Sequence, residues 1–154
     1  QLDAVWWIVA KGNPLKSDHG DFAKRLASAA EVAAHPRMRV TALEADLGLT
    51  YTVDTLAWLQ LRYRQHKFVW LMGSDNLSGF HNWKNWETIA KRVPIAVVAR
   101  PGARPGHSPF ERRFASARLP EHAAGRLALY DPPAWTFLKA PFNAQSSTNL
   151  RSEP

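Results

Sequence analysis

Four short apolar runs, spaced along the chain and separated by helical patterns, constrain the fold more than any other feature. They are "LDAVWWIVA" (2–10), "MRVTAL" (38–43), "KFVWLM" (67–72) and "IAVVA" (95–99). Each is one strand long, rich in Val, Ile or aromatics, and the first, third and fourth barely alternate with polar residues. Near-continuous apolar strands suit a parallel sheet covered on both faces. Between the first two runs, Phe22, Leu26, Ala29, Ala30 and Ala33 recur at helical spacing. Asp21 or Ser17 is placed to cap that helix, and His35-Pro36 ends it. Thr52 is placed to cap a second helix, from Val53 through Leu56, Leu59, Gln60 and Tyr63. "WETIAKRV" makes a third, stopped by Pro94. "FERRFASAR" is a weaker helix, and "RLALY" and "WTFL" read as late strands around a "DPP" turn. Strands alternating with helices predict an α/β domain with a mainly parallel sheet.

The chain of 154 residues suffices for one domain with a real core, and no repeat, low-complexity tract or linker divides it. It has no cysteine, so disulfides, thiolate catalysis and Cys-based metal sites are excluded. The six histidines show no metal-ligand spacing. No apolar run reaches membrane-spanning length and no signal peptide opens the chain, so the expectation is a cytoplasmic protein without a membrane partner. The oligomeric state is left open, a homo-oligomer included. A net charge of +7 favours anionic partners. The basic residues are scattered, and the aromatics are not interleaved with them. That disfavours a nucleic acid surface relative to a small phosphorylated ligand.

In open α/β sheets, ligands bind beyond the carboxyl ends of strands, near helix N-termini. "KGNPLK", "TYTVDT", "GSDN" and "ARPG" fall at such places, and "SSTNLR" puts hydroxyls at a helix start. Ser146, Ser147 and Thr148, with Arg151 one turn on, form an anion-site pattern; Lys16 and Arg100 add charge. Asp75 either caps a helix from about Asn76 or accepts hydrogen bonds from a ribose, and Gly73 permits close backbone approach. Phe80, Trp83 and Trp86 share one face if the segment is helical. They are then either a core stripe or a stacking wall for a flat ring.

"TYTVDTL", "FVWLMGSDNLSGFHNWKNWETIA", "PIAVVARPG" and "SSTNLR" occur in the order seen in bacterial nicotinate-nucleotide adenylyltransferases. The chain resembles that family over nearly its whole length. The resemblance implies a Rossmann-like nucleotidyltransferase fold. It also implies adenylyl transfer from ATP to nicotinate mononucleotide, with Mg2+, giving deamido-NAD and pyrophosphate. It places Trp83 and Trp86 on the nicotinate ring, and Tyr51 and Thr52 on the nicotinate nucleotide. Gly73 and Asp75 fall on the adenosine side, and Ser147, Thr148 and Arg151 on the ATP phosphates, with Lys16 and Arg100 as further candidates. The family's Gly-Ser-Phe-x-Pro-x-His-x-Gly-His loop is absent from the 154 residues, and Gln1 opens on what resembles the family's second strand. The expectation is therefore a sheet lacking its first, central strand, with two exposed strand edges, and no assignable catalytic residue. A nucleotide-binding remnant without turnover is the alternative, ahead of a basic nucleic-acid-binding module.

Overall fold

The computed structural model describes residues 2–12, 20–101 and 106–139. They fall in two compact units, Gln1–His66 and Lys67–Pro154.

In the first unit, β1 (Val5–Ile8) and β2 (Met38–Thr41) pair in parallel, Val5 opposite Met38 and Ile8 opposite Thr41. The crossover is α1 (Phe22–Val32), capped by Asp21, whose Oδ1 accepts from the N–H groups of Ala23 and Lys24. Ala29 is the one buried residue of the helix, with Phe22 and Leu26 half-buried. Arg25 reaches back from α1 and donates to the carbonyls of Ala10 and Lys11 at 2.7 and 3.0 Å, fixing the exit of β1. After β2 a short helix, α2 (Leu43–Asp46), precedes the turn to the next helix. The next helix, α3 (Thr52–Arg62), buries Val53, Leu56 and Leu59. Thr52 is its first residue rather than its cap. The cap position belongs to Tyr51, whose carbonyl accepts from the N–H groups of Asp54 and Thr55.

In the second unit, four parallel strands run in the order β3 (Trp70–Gly73), β4 (Ile95–Val98), β6 (Trp135–Leu138), β5 (Arg118–Leu119). The middle strands β4 and β6 are the buried ones: Ile95, Ala96, Val97, Trp135 and Thr136 are almost fully enclosed. By contrast, β3 exposes Leu71 and, in the first unit, β1 exposes Trp7. Each of these two strands has a single strand neighbour among the described residues, so neither matches the fully buried strand that its apolar run predicts. The helix α4 (Trp86–Arg92) stops before Pro94 as expected, and α5 (Pro109–Arg113) accounts for the start of the weak helical pattern. "RLALY" is not a strand. It lies in and just after a 3-10 helix spanning Glu121–Leu129, in which Leu127 alone is buried. The outer neighbour of β6 is instead the two-residue β5, paired in parallel.

Aromatic rings form the core of this unit. Phe80 is fully buried, with ring centroids 5.3 Å from Trp83 and Phe110 and 6.1 Å from Trp86. Phe110 continues the cluster to Trp135 at 5.3 Å, and the Trp135 indole N–H donates to the Phe114 carbonyl at 2.7 Å. Edge-on contacts of this kind add about 0.5–1.5 kcal/mol each to the apolar burial.

Candidate active site

The carboxyl ends of β3 and β4 carry the first group of predicted residues. Directly after β3 the chain enters a 3-10 turn, Ser74–Asn76. Asp75 therefore sits inside that turn and caps no α-helix from Asn76. Ser74 is buried, and its Oγ accepts the backbone N–H of Arg100 at 2.8 Å. That bond ties the exits of the two strands together and sets Arg100 opposite Asp75. Arg100 Nε lies 3.4 Å from Asp75 Oδ1, and Nη1 lies 3.5 Å from Oδ2. Both side chains are half exposed, so the pair contributes only about 0–1 kcal/mol to stability. The two side chains lie over Gly73. A Cβ there would meet the Asp75 carboxylate and stand 2.6 Å from Arg100 Nε. Gly73 is thus needed for close approach, here of the ion pair itself.

A cavity of about 460 Å³ opens at this strand end, lined by residues that include Ser74, Asp75, Arg100, His107, Ser108 and Glu111. Sequence reasoning found Asp75 and Arg100 but missed the rest. The available signal was Ser108-Pro-Phe-Glu111, a Ser-x-x-Glu capping box with Pro at the first helical turn. Ser108 Oγ accepts the Glu111 N–H at 3.1 Å, and Glu111 Oε2 accepts the Ser108 N–H at 3.1 Å. Burial alone would push the Glu111 carboxyl up. The N–H groups of Gly106, Ser108 and His107 and the Ser108 hydroxyl favour the anion and hold it below the usual range.

Phe80, Trp83 and Trp86 do not form one continuous helical face. Phe80–Asn82 is a 3-10 turn, and Asn85, at φ +52°, reverses the chain before α4 begins at Trp86. Asn tolerates this left-handed conformation better than most residues. Phe80 belongs to the core, and Trp83 and Trp86 rest on it half-buried. Trp83 is steadied further by an edge-on contact with Trp70 at 6.3 Å.

Tyr51 and Thr52 lie in the first unit, at the start of α3, with Tyr51 exposed and Thr52 half-buried. Beneath them Thr55 Oγ1 donates to Glu44 Oε1 at 2.8 Å, both side chains being buried. Burial raises the Glu44 carboxyl above its ordinary range, partly offset by that hydrogen bond. Lys16, Ser147, Thr148 and Arg151 lie outside the described residues. Among the described residues no helix is long and apolar enough to cross a membrane, and no group of three or more His, Asp or Glu is placed to hold a metal ion.

The model of the cytidylyltransferase-like family matches residues 1–153. A probable nicotinate-nucleotide adenylyltransferase from Cereibacter sphaeroides is 51% identical over 98% of this chain and 82% of its own length. One from Rhizobium meliloti is 46% identical over the same shares. The chain belongs to the nicotinate-nucleotide adenylyltransferase family. Among solved structures, the nicotinic acid mononucleotide adenylyltransferase of Plasmodium falciparum, complexed with NaAD, matches with a TM-score of 0.62. The match covers 96% of this chain and 63% of that one, and at 12% identity it speaks for the fold alone. It agrees with the parallel α/β architecture and the Rossmann-like nucleotidyltransferase fold expected from the sequence.

Proposed function

We propose that residues 1–154 form one nucleotidyltransferase domain whose residues bind ATP and nicotinate mononucleotide for adenylyl transfer, in the cytoplasm, within NAD biosynthesis. The observation that carries this reading is the juxtaposition of Gly73, Asp75 and Arg100 at a parallel-strand exit, in a chain half identical to named members of the family. In the reaction, a phosphate oxygen of nicotinate mononucleotide attacks the α-phosphorus of ATP. The bond to the β-phosphate breaks and pyrophosphate leaves with the electron pair. No covalent enzyme intermediate is needed, so the work is positioning and charge neutralisation. Magnesium enters as the ATP salt, held largely by phosphates and water, which calls for no protein cage.

Asp75 accepts hydrogen bonds from the adenosine ribose, with Gly73 giving the ligand access to the backbone. Arg100 exchanges its weak pairing with Asp75 for phosphate, joined by Lys16, Ser147, Thr148 and Arg151. Trp83 and Trp86 are assigned to the nicotinate ring; Tyr51 and Thr52, in the first unit, are assigned to the nicotinate nucleotide by the family resemblance alone. The alternative reading is a nucleotide-binding chain that binds without turnover.

Two measurements separate these. Tryptophan fluorescence of this chain is expected to quench saturably with nicotinate mononucleotide, more than with the nicotinamide form, and to lose most of that response in Trp83→Ala and Trp86→Ala. Absence of any saturable quench overturns both readings. Pyrophosphate release from magnesium-ATP and nicotinate mononucleotide then decides: turnover supports the enzyme, and silence from a binding chain supports the second reading. The same assay on a chain extended by a family-type histidine loop tells whether that loop restores the chemistry.

A further inference from the structure

The turn Gly106–Ser108 is pinned more heavily than the cap of a short helix requires. The capping box uses one Glu111 oxygen on the Ser108 N–H. The other, Oε1, accepts the N–H of Gly106 at 2.6 Å, and the Ser108 hydroxyl adds a third bond at 2.9 Å to Oε2. The His107 carbonyl is taken by the Arg112 guanidinium at 2.8 Å. Gly106 stands at φ +97°, a conformation that lets the turn bring its N–H onto the carboxylate. The backbone on both sides of His107 is therefore fixed, by a carboxylate that is itself buried. Yet the His107 side chain is exposed, and the residue lines the same cavity as Asp75 and Arg100. An imidazole offers a flat face for a purine and ring nitrogens that donate or accept.

We propose that Glu111 is a positioning residue: through Gly106 and Ser108 it holds His107 in the wall of the cavity that Asp75 also lines, and that wall sets affinity for the nucleoside half of ATP. This rests on the reading that Asp75 serves the adenosine side.

The test is a double-mutant cycle on the intact chain, with magnesium-ATP followed by calorimetry and nicotinate mononucleotide by tryptophan quenching. Glu111→Gln keeps shape but replaces one accepting oxygen with a donor. His107→Ala alters an exposed side chain, so the variant folds whatever the result. Each is expected to weaken ATP about tenfold, and the double variant to stay near tenfold rather than a hundredfold, because one effect runs through the other. Nicotinate mononucleotide affinity is expected to stay within about twofold in all three. Additive losses, wild-type ATP affinity in Glu111→Gln, or equal losses for both ligands overturn the inference alone. A wild-type chain that takes nicotinate mononucleotide but no ATP overturns the adenosine assignment of Asp75, and the inference with it.

Discussion

Gly73 carries a side-chain-free surface on which an acid and a base meet. The atoms a Cβ would strike are the ends of flexible side chains, the Asp75 carboxylate and Arg100 Nε, rather than backbone. Gly73→Ala is therefore expected to cost little stability, within about 1 kcal/mol in urea unfolding, while separating Asp75 from Arg100. Because Gly73 gives the ligand access to the backbone, the same variant is expected to weaken ATP binding at least several-fold. Unchanged ATP affinity would show that close approach at Gly73 is immaterial. The position of Gly73 and Asp75 at a strand exit was legible for a simple reason. A glycine and an aspartate directly after an apolar run have few roles, and a strand exit is where an α/β sheet presents ligand groups. Ser74 was not legible, because a buried serine bonding an N–H across two strands leaves no pattern in one of them.

Among the elements, the break between Phe80 and α4 is the most consequential. Asn85 at φ +52° allows Trp83 and Trp86 to lie against the same Phe80 ring without a continuous helix between them. Asn85→Gly is expected to be tolerated with the nicotinate response intact. Asn85→Val should lose roughly 1–2 kcal/mol, since a β-branched residue resists the left-handed region, and should blunt the fluorescence response. Thermal unfolding and the quench titration read the two effects separately. Three-residue spacing of the aromatics suggested a helix because spacing alone cannot reveal a reversal between the repeats. The strands were legible where burial is two-sided, as in β4. They were misread where a periodic apolar run, "RLALY", serves a 3-10 segment with one buried leucine and an exposed Leu129. Two-residue β5 is too short to imprint any periodicity.

Across the whole molecule, two buried carboxylates pull the response to pH in opposite directions. Glu111 titrates below the ordinary range, so its contribution is full above that range and fades as pH falls through its folded value. Glu44 titrates above the ordinary range, so its contribution is greatest in acid and is lost as pH rises through its folded value. Glu111→Gln is accordingly expected to lose about 2 kcal/mol near neutrality, a deficit that shrinks towards strong acid. Glu44→Gln keeps an oxygen to accept from Thr55. It is expected to match or exceed the wild-type chain at neutrality, with an advantage that grows with pH. Urea unfolding across a pH series checks both slopes, and a Glu44→Gln chain that loses ground with rising pH contradicts the assignment.

Phe80 has one further consequence, which concerns how such a chain can change. Its ring is shared property: it anchors two half-buried tryptophans and also closes the core against Phe110. A lineage, or an engineer, seeking a differently shaped aromatic surface cannot exchange Trp83 or Trp86 freely. Each replacement must still fit the same phenyl ring, and any adjustment of that ring is transmitted to Phe110 and Trp135. Variation in ligand preference on this scaffold is therefore expected to arrive as correlated substitutions that include core positions, not as single changes at the surface.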